Sequence, residues 1–143
     1  MRLALALTLL AAPLPALAQE PGPQDARDTV QAYYAAIERG DFRTAYGLWD
    51  RGGKASGKSF ASFRQGFAGT AHSRVETHRP AGEDAGMSQR WITVPVDVYA
   101  TLKNGRRQHF RGSYTLHRVV PGVSANRADT LWHLSSAKLV AVR

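Results

Sequence analysis

Asp97 and Arg111, with Tyr99 and His109, are the residues of this chain whose types and spacing could do acid–base or recognition chemistry. Desolvated in a pocket, Asp97 would have a raised pKa and could serve as a general base. Beside Arg111 on an open face it would instead be half of an ion pair. The other candidates carry less. His72 and His78 lie six residues apart and His109 and His117 eight. On strands each pair shares a face, yet sits too far apart to hold one metal ion without a bend, so no metal site is expected. His133, flanked by Trp132 and Leu134, is expected to be partly buried with a backbone partner. No Gly-x-Ser-x-Gly elbow occurs, which leaves nucleophilic serine chemistry without support. The glycine-rich run Arg51 to Ser59 ends in Gly-Lys-Ser, but a phosphate-binding loop follows a buried strand, and here a helical pattern precedes it. No cofactor is expected.

Which chemistry Asp97 can do depends on the elements that carry it. Before residue 70 the apolar period is helical. Asp25 opens a pattern with Ala26, Val30, Tyr33 and Ile37 on one face, closed by Arg39 and Gly40. Asp41 caps a second helix bearing Phe42, Ala45, Leu48 and Trp49, and Ser59 caps a third bearing Phe60, Phe63 and Phe67. From Thr70 onward the period is 2, predicting strands at about 71–79, 89–101, 107–120 and 131–140. The segments Pro80 to Gly86, Lys103 to Gly105 and Pro121 to Asp129 read as turns. Helices followed by an antiparallel meander make an α+β fold: three N-terminal helices packed on a curved, cone-like antiparallel sheet of about four strands.

The Asn104-Gly105 turn decides the register. A two-residue loop would set Val94 opposite Thr115 and Val98 opposite Arg111, a mixed face that is poor to bury. A three-residue loop, with Gly105 left-handed, sets Ile92 beside Leu116, Val94 beside Tyr114, Val96 beside Gly112 and Val98 beside Phe110. It also puts Asp97 opposite Arg111 and Tyr99 beside His109 on the other face. Only this register makes both rows consistent, so we adopt it. It leaves a candidate pocket for a small hydrophobic ligand lined by Tyr33, Ile37, Phe63, Val96, Phe110 and Tyr114, and a polar sheet face carrying Asp97, Arg111, Tyr99 and His109.

The first 18 residues read as a secretory signal: Arg2, an apolar stretch, the break at Pro13 and Pro15, and small residues at Ala16 and Ala18. Residues 19–24 read as a flexible lead and 25–143 as a single domain, in a periplasmic or secreted protein. With no cysteine there is neither a disulfide nor a lipid-attachment site. Removing Arg2 from 19 Lys and Arg leaves 18 against 11 Asp and Glu, a charge of +7. Outside the cytoplasm that balance points to peripheral contact with anionic membrane surfaces at most, and not to nucleic acid.

Element order, the corner Tyr33-Tyr34-Ala35-Ala36-Ile37-Glu38-Arg39-Gly40-Asp41-Phe42 and the late Trp132-His133-Leu134 together resemble the nuclear transport factor 2-like superfamily, which shares its cone fold with ketosteroid isomerase. The resemblance covers nearly all of residues 25–140. It implies a cone between helices and sheet, into which the family's enzymes project acid and base groups. The adopted register places Asp97 on the other face, so the base that the resemblance implies is missing. Three readings follow: a non-catalytic exported binding or accessory module holding a small hydrophobic ligand, a protein that self-associates as a homodimer through its polar sheet face, or a lyase or isomerase of the ketosteroid-isomerase type.

Overall fold

The computed structural model describes residues 12–13 and 19–143. The secretion signal expected over residues 1–18 falls outside them, apart from residues 12 and 13. Among the described residues no helix is long and apolar enough to cross a membrane.

Helix α1 (Pro23–Glu38) starts two residues before the expected Asp25. Pro23, whose fixed φ and missing N–H suit a first turn, begins it, and the Asp25 carboxylate accepts the Gly22 N–H at 2.6 Å. Its apolar stripe of Ala26, Val30, Tyr33 and Ile37 is buried as the spacing predicts. Asp41 caps α2 (Phe42–Gly47) by accepting from the Thr44 N–H, and Ser59 caps α3 (Phe60–Gln65) by accepting from that of Ser62. Between them the glycine-rich run forms a 3-10 turn, Arg51–Ser56.

The sheet holds β1 (Thr70–Thr77), β2 (Ala81–Gly86), β3 (Gln89–Leu102), β4 (Arg107–Val119) and β5 (His133–Ala141), all antiparallel. Five strands replace the four expected. Pro80 to Gly86, read as a turn from its Gly and Asp content, contains β2, an exposed edge strand on the first half of β3. Its pairing is interrupted between Ala81 and Asp84, where Gly82 takes φ 64°. The 14-residue β3 outreaches β1, and its free backbone groups supply the ladder that the poor propensity of the segment does not.

Strands β3 and β4 pair in the three-residue-loop register: Ile92 with Leu116, Val94 with Tyr114, Val96 with Gly112, Val98 with Phe110, Asp97 with Arg111 and Tyr99 with His109. Leu102 N–H donates to Arg106 O at 2.8 Å, and Gly105 is left-handed at φ 85°. Along the inner row Gly112 is a steric necessity, because a Cβ there would come 1.8 Å from the Lys138 carbonyl oxygen of β5. The core lies between this row and α1, and joins Val30, Tyr33, Tyr34, Ile37, Trp49 and Phe63 to Ile92, Val94, Val96, Tyr114, Leu116 and Leu134.

Candidate functional site

The cone is filled from within. Tyr33, Ile37, Phe63, Val96 and Tyr114 are each at most 5 % exposed, and Phe110 packs half-buried beside them. The Tyr33 ring centre lies 5.1 Å from that of Tyr34, 6.1 Å from Trp49, 6.3 Å from Phe63 and 6.0 Å from Tyr114. These edge-on and tilted rings interlock where the sequence suggests a ligand pocket. The only hydroxyl pairing among them joins Tyr34 and Tyr114 at 2.6 Å. Burial pushes the Tyr34 phenol up to about 12 and drives those of Tyr33 and Tyr114 higher still, so all three stay protonated and neutral. Among the described residues the buried charged side chains are Asp97 and Arg118, so the inner row offers no carboxylate to act as base.

Asp97 points the other way. Strand alternation turns its side chain from the helices, while Val96 and Val98 face them. There its carboxylate, with a side chain only 10 % exposed, is ringed by donors. Its Oδ2 accepts from His78 Nε2 at 2.7 Å, and its Oδ1 from His109 Nε2 at 2.6 Å and Arg111 Nε at 3.0 Å. An ionised carboxylate only accepts, so both imidazoles carry their proton on Nε2. The bonds from His109, then His78, then Arg111 hold the Asp97 carboxyl far below the usual aspartate range. His109 stacks on Tyr99 at 4.4 Å and 15°, and the Arg74 guanidinium carbon lies 4.1 Å from the Tyr99 ring centre. The network therefore spans β1, β3 and β4 and includes all four residues expected on the polar face. A guanidinium on the same carboxylate opposes a metal ion, and among the described residues no group of three or more His, Cys, Asp or Glu could hold one.

A second polar cluster lies at the rim, where Asp50 passes beside the start of β5. His117 Nδ1 meets Asp50 Oδ2 at 2.7 Å, and its Nε2 meets the Gln89 side-chain oxygen. The Trp91 ring lies 5.2 Å from the imidazole. A cleft of about 510 Å³ opens here, lined by Asp50, Arg51, Trp91, His117 and Ser135 among others. An Asp–His pair in a cleft is an acid–base arrangement, and here Asp50 and Gln89 each meet one ring nitrogen of His117.

Sequence reasoning missed His78, Asp50 and the buried Arg118. His78 reaches Asp97 because its own N–H bonds Pro95 O, continuing the β1 ladder past Thr77. That position follows from the β1 register, for which no tight turn provides a count. The remaining histidines are ordinary: His72 bonds the exposed Glu38 carboxylate at 2.8 Å, and His133 Nδ1 finds the Leu131 carbonyl at 2.9 Å, the backbone partner expected for it.

No protein-family model matches the chain, and no curated protein does. Solved structures do. A suspected aromatic ring hydroxylase from Novosphingobium aromaticivorans superposes with a TM-score of 0.58 at 16 % identity, over 84 % of this chain and 92 % of that one. A nuclear transport factor 2-like superfamily protein from Salmonella enterica serovar Typhimurium gives 0.54 at 14 %, over 83 % and 89 %. A suspected dehydratase of the same family from Streptomyces avermitilis gives 0.52 at 18 %, over 85 % and 99 %. At these identities the likeness is one of fold: the chain has the nuclear transport factor 2-like cone, α+β, with its helices on one face of a curved antiparallel sheet.

Proposed function

We propose that the protein is an exported, non-catalytic binding or accessory module of the bacterial envelope that works through the outer face of its sheet, where it pairs with a second copy of itself. The observation that carries this reading is the Asp97 network, a nearly buried carboxylate with three partners, built on the face away from the helices while aromatic rings fill the cone. A cone-bound hydrophobic ligand would have to displace Tyr33, Phe63 or Tyr114 from ring contacts of roughly 6 Å. A ketosteroid-isomerase-like reaction would need a carboxylate inside.

The charge order of the outer face suits an isologous pair. In one cross-strand row Glu76, Asp97, Arg111 and Val140 follow one another from β1 to β5. A two-fold axis at the middle of this row, between Asp97 and Arg111, sets Asp97 of each copy over Arg111 of the other. Val140, 68 % exposed, would be covered. The test is sedimentation of the exported protein beside Val140→Glu. The parent should sediment as a dimer and the variant as a monomer with unchanged melting. A monomeric parent, or a variant that dimerises like the parent, would remove the outer face as the interface.

A further inference from the structure

Arg118 is buried at 4 % exposure on the inner row beyond Leu116, and a single carboxylate meets it. Its Nη2 donates to Glu20 Oε2 at 3.0 Å, and its guanidinium carbon lies 5.1 Å from the Trp132 ring centre. Its Nε and Nη1 are buried and have no partner among the described residues. A guanidinium presents five N–H donors in a rigid fork, and buried donors left unpaired are costly. A carboxylate approaching end-on could engage two of them at once.

The group now in place is a poor occupant. Glu20 belongs to the lead, its side chain is 53 % exposed, and among the described residues its carboxylate accepts one hydrogen bond, from Arg118. Trp132 Nε1–H donates to Gly22 O at 3.0 Å and anchors the lead two residues further on, so Glu20 can leave without the helix moving. Beside it lies a recess of about 360 Å³, whose lining includes Glu20, Pro21, Pro121, Arg127 and Leu131. It thus combines a second cation with apolar walls.

We propose that this recess binds a small organic carboxylate with an apolar body, and that Glu20 is a built-in occupant which the ligand carboxylate displaces from Arg118. This does not depend on the outer face. The experiment is calorimetric titration of the exported protein with hexanoate, and with hexanol as the uncharged probe. If Glu20 holds the guanidinium about nine-tenths of the time, Glu20→Ala should bind hexanoate about tenfold tighter than the parent. Arg127→Ala, at an exposed site, should weaken hexanoate binding in the Glu20→Ala background, and hexanol should bind neither form. Chemical-shift change at the Arg118 Nε–H on adding hexanoate reports the contact without altering Arg118. Equal hexanoate affinity in parent and Glu20→Ala, hexanol binding as tightly as hexanoate, or a silent Arg118 resonance overturns the proposal.

Discussion

Asp97 ties the outer face to pH. Its folded-state pKa lies below the ordinary aspartate value of 3.8, because His109, His78 and Arg111 donate to the ionised form. The stability this contributes is whole above that value and is lost as pH falls below it toward the depressed folded-state pKa. Asp97→Asn, which cannot ionise, should therefore be less stable than the parent near neutrality, yet lose less stability between about pH 5 and about pH 3. Urea melts across that range measure the difference, and parallel curves would mean that the network does not hold the charge. The tyrosine hydroxyls in the cone obey another rule. Tyr34→Phe or Tyr114→Phe alone leaves one buried hydroxyl unpartnered at a cost of about 1–3 kcal/mol, whereas the double change removes both and should cost less than the sum. Denaturant melts of the three variants give the coupling directly. How much of this was legible differs by residue. Asp97 with Arg111 and Tyr99 with His109 could be paired by counting outward from Gly105. The unpartnered fork of Arg118 could not, since its surroundings come from Glu20 and Trp132, nearly a hundred residues earlier and 14 later.

Among the elements, the β3–β4 hairpin sets the inner row of the sheet, and α3 closes the core through Phe63. The hairpin register was readable because burial of Ile92, Val94, Val96 and Val98 tolerates only one alignment with Phe110, Gly112, Tyr114 and Leu116. At Gly112 the fit has no slack. Gly112→Ala would drive its Cβ into the Lys138 carbonyl, so β5 must shift, and we expect a loss of about 1–3 kcal/mol or more in thermal or urea melts. Phe63, buried from α3 against Tyr33, Tyr46 and Phe67, should cost ~3–5 kcal/mol on truncation to Ala. If Phe63→Ala melted like the parent, α3 would not be closing the core. Strand β2 escaped the sequence because its glycines and acidic residues spell a turn locally, while its pairing is imposed by the unpaired edge of β3. The start of α1 moved to Pro23 for a related reason: the residue that opens the helix is set by backbone geometry and not by the first apolar position.

For the whole molecule, the order of helices before strands and the change of period at residue 70 sufficed to indicate the cone, because a helical stripe and a one-sided sheet have few ways to bury each other. Whether that cone is open or filled was not legible. It depends on how the rings of Tyr33, Tyr34, Trp49 and Tyr114 lean on one another, and residue type does not specify that. A filled cone leaves the outer face, with its row from Glu76 to Arg111, as the surface on which the proposed self-association rests. Native mass spectrometry of the protein, purified gently from the cells that make it, tests the proposed self-association most directly. It should show a dimer with no neutral hydrophobic molecule retained in the cone of either copy, and a monomer carrying such a molecule would contradict it.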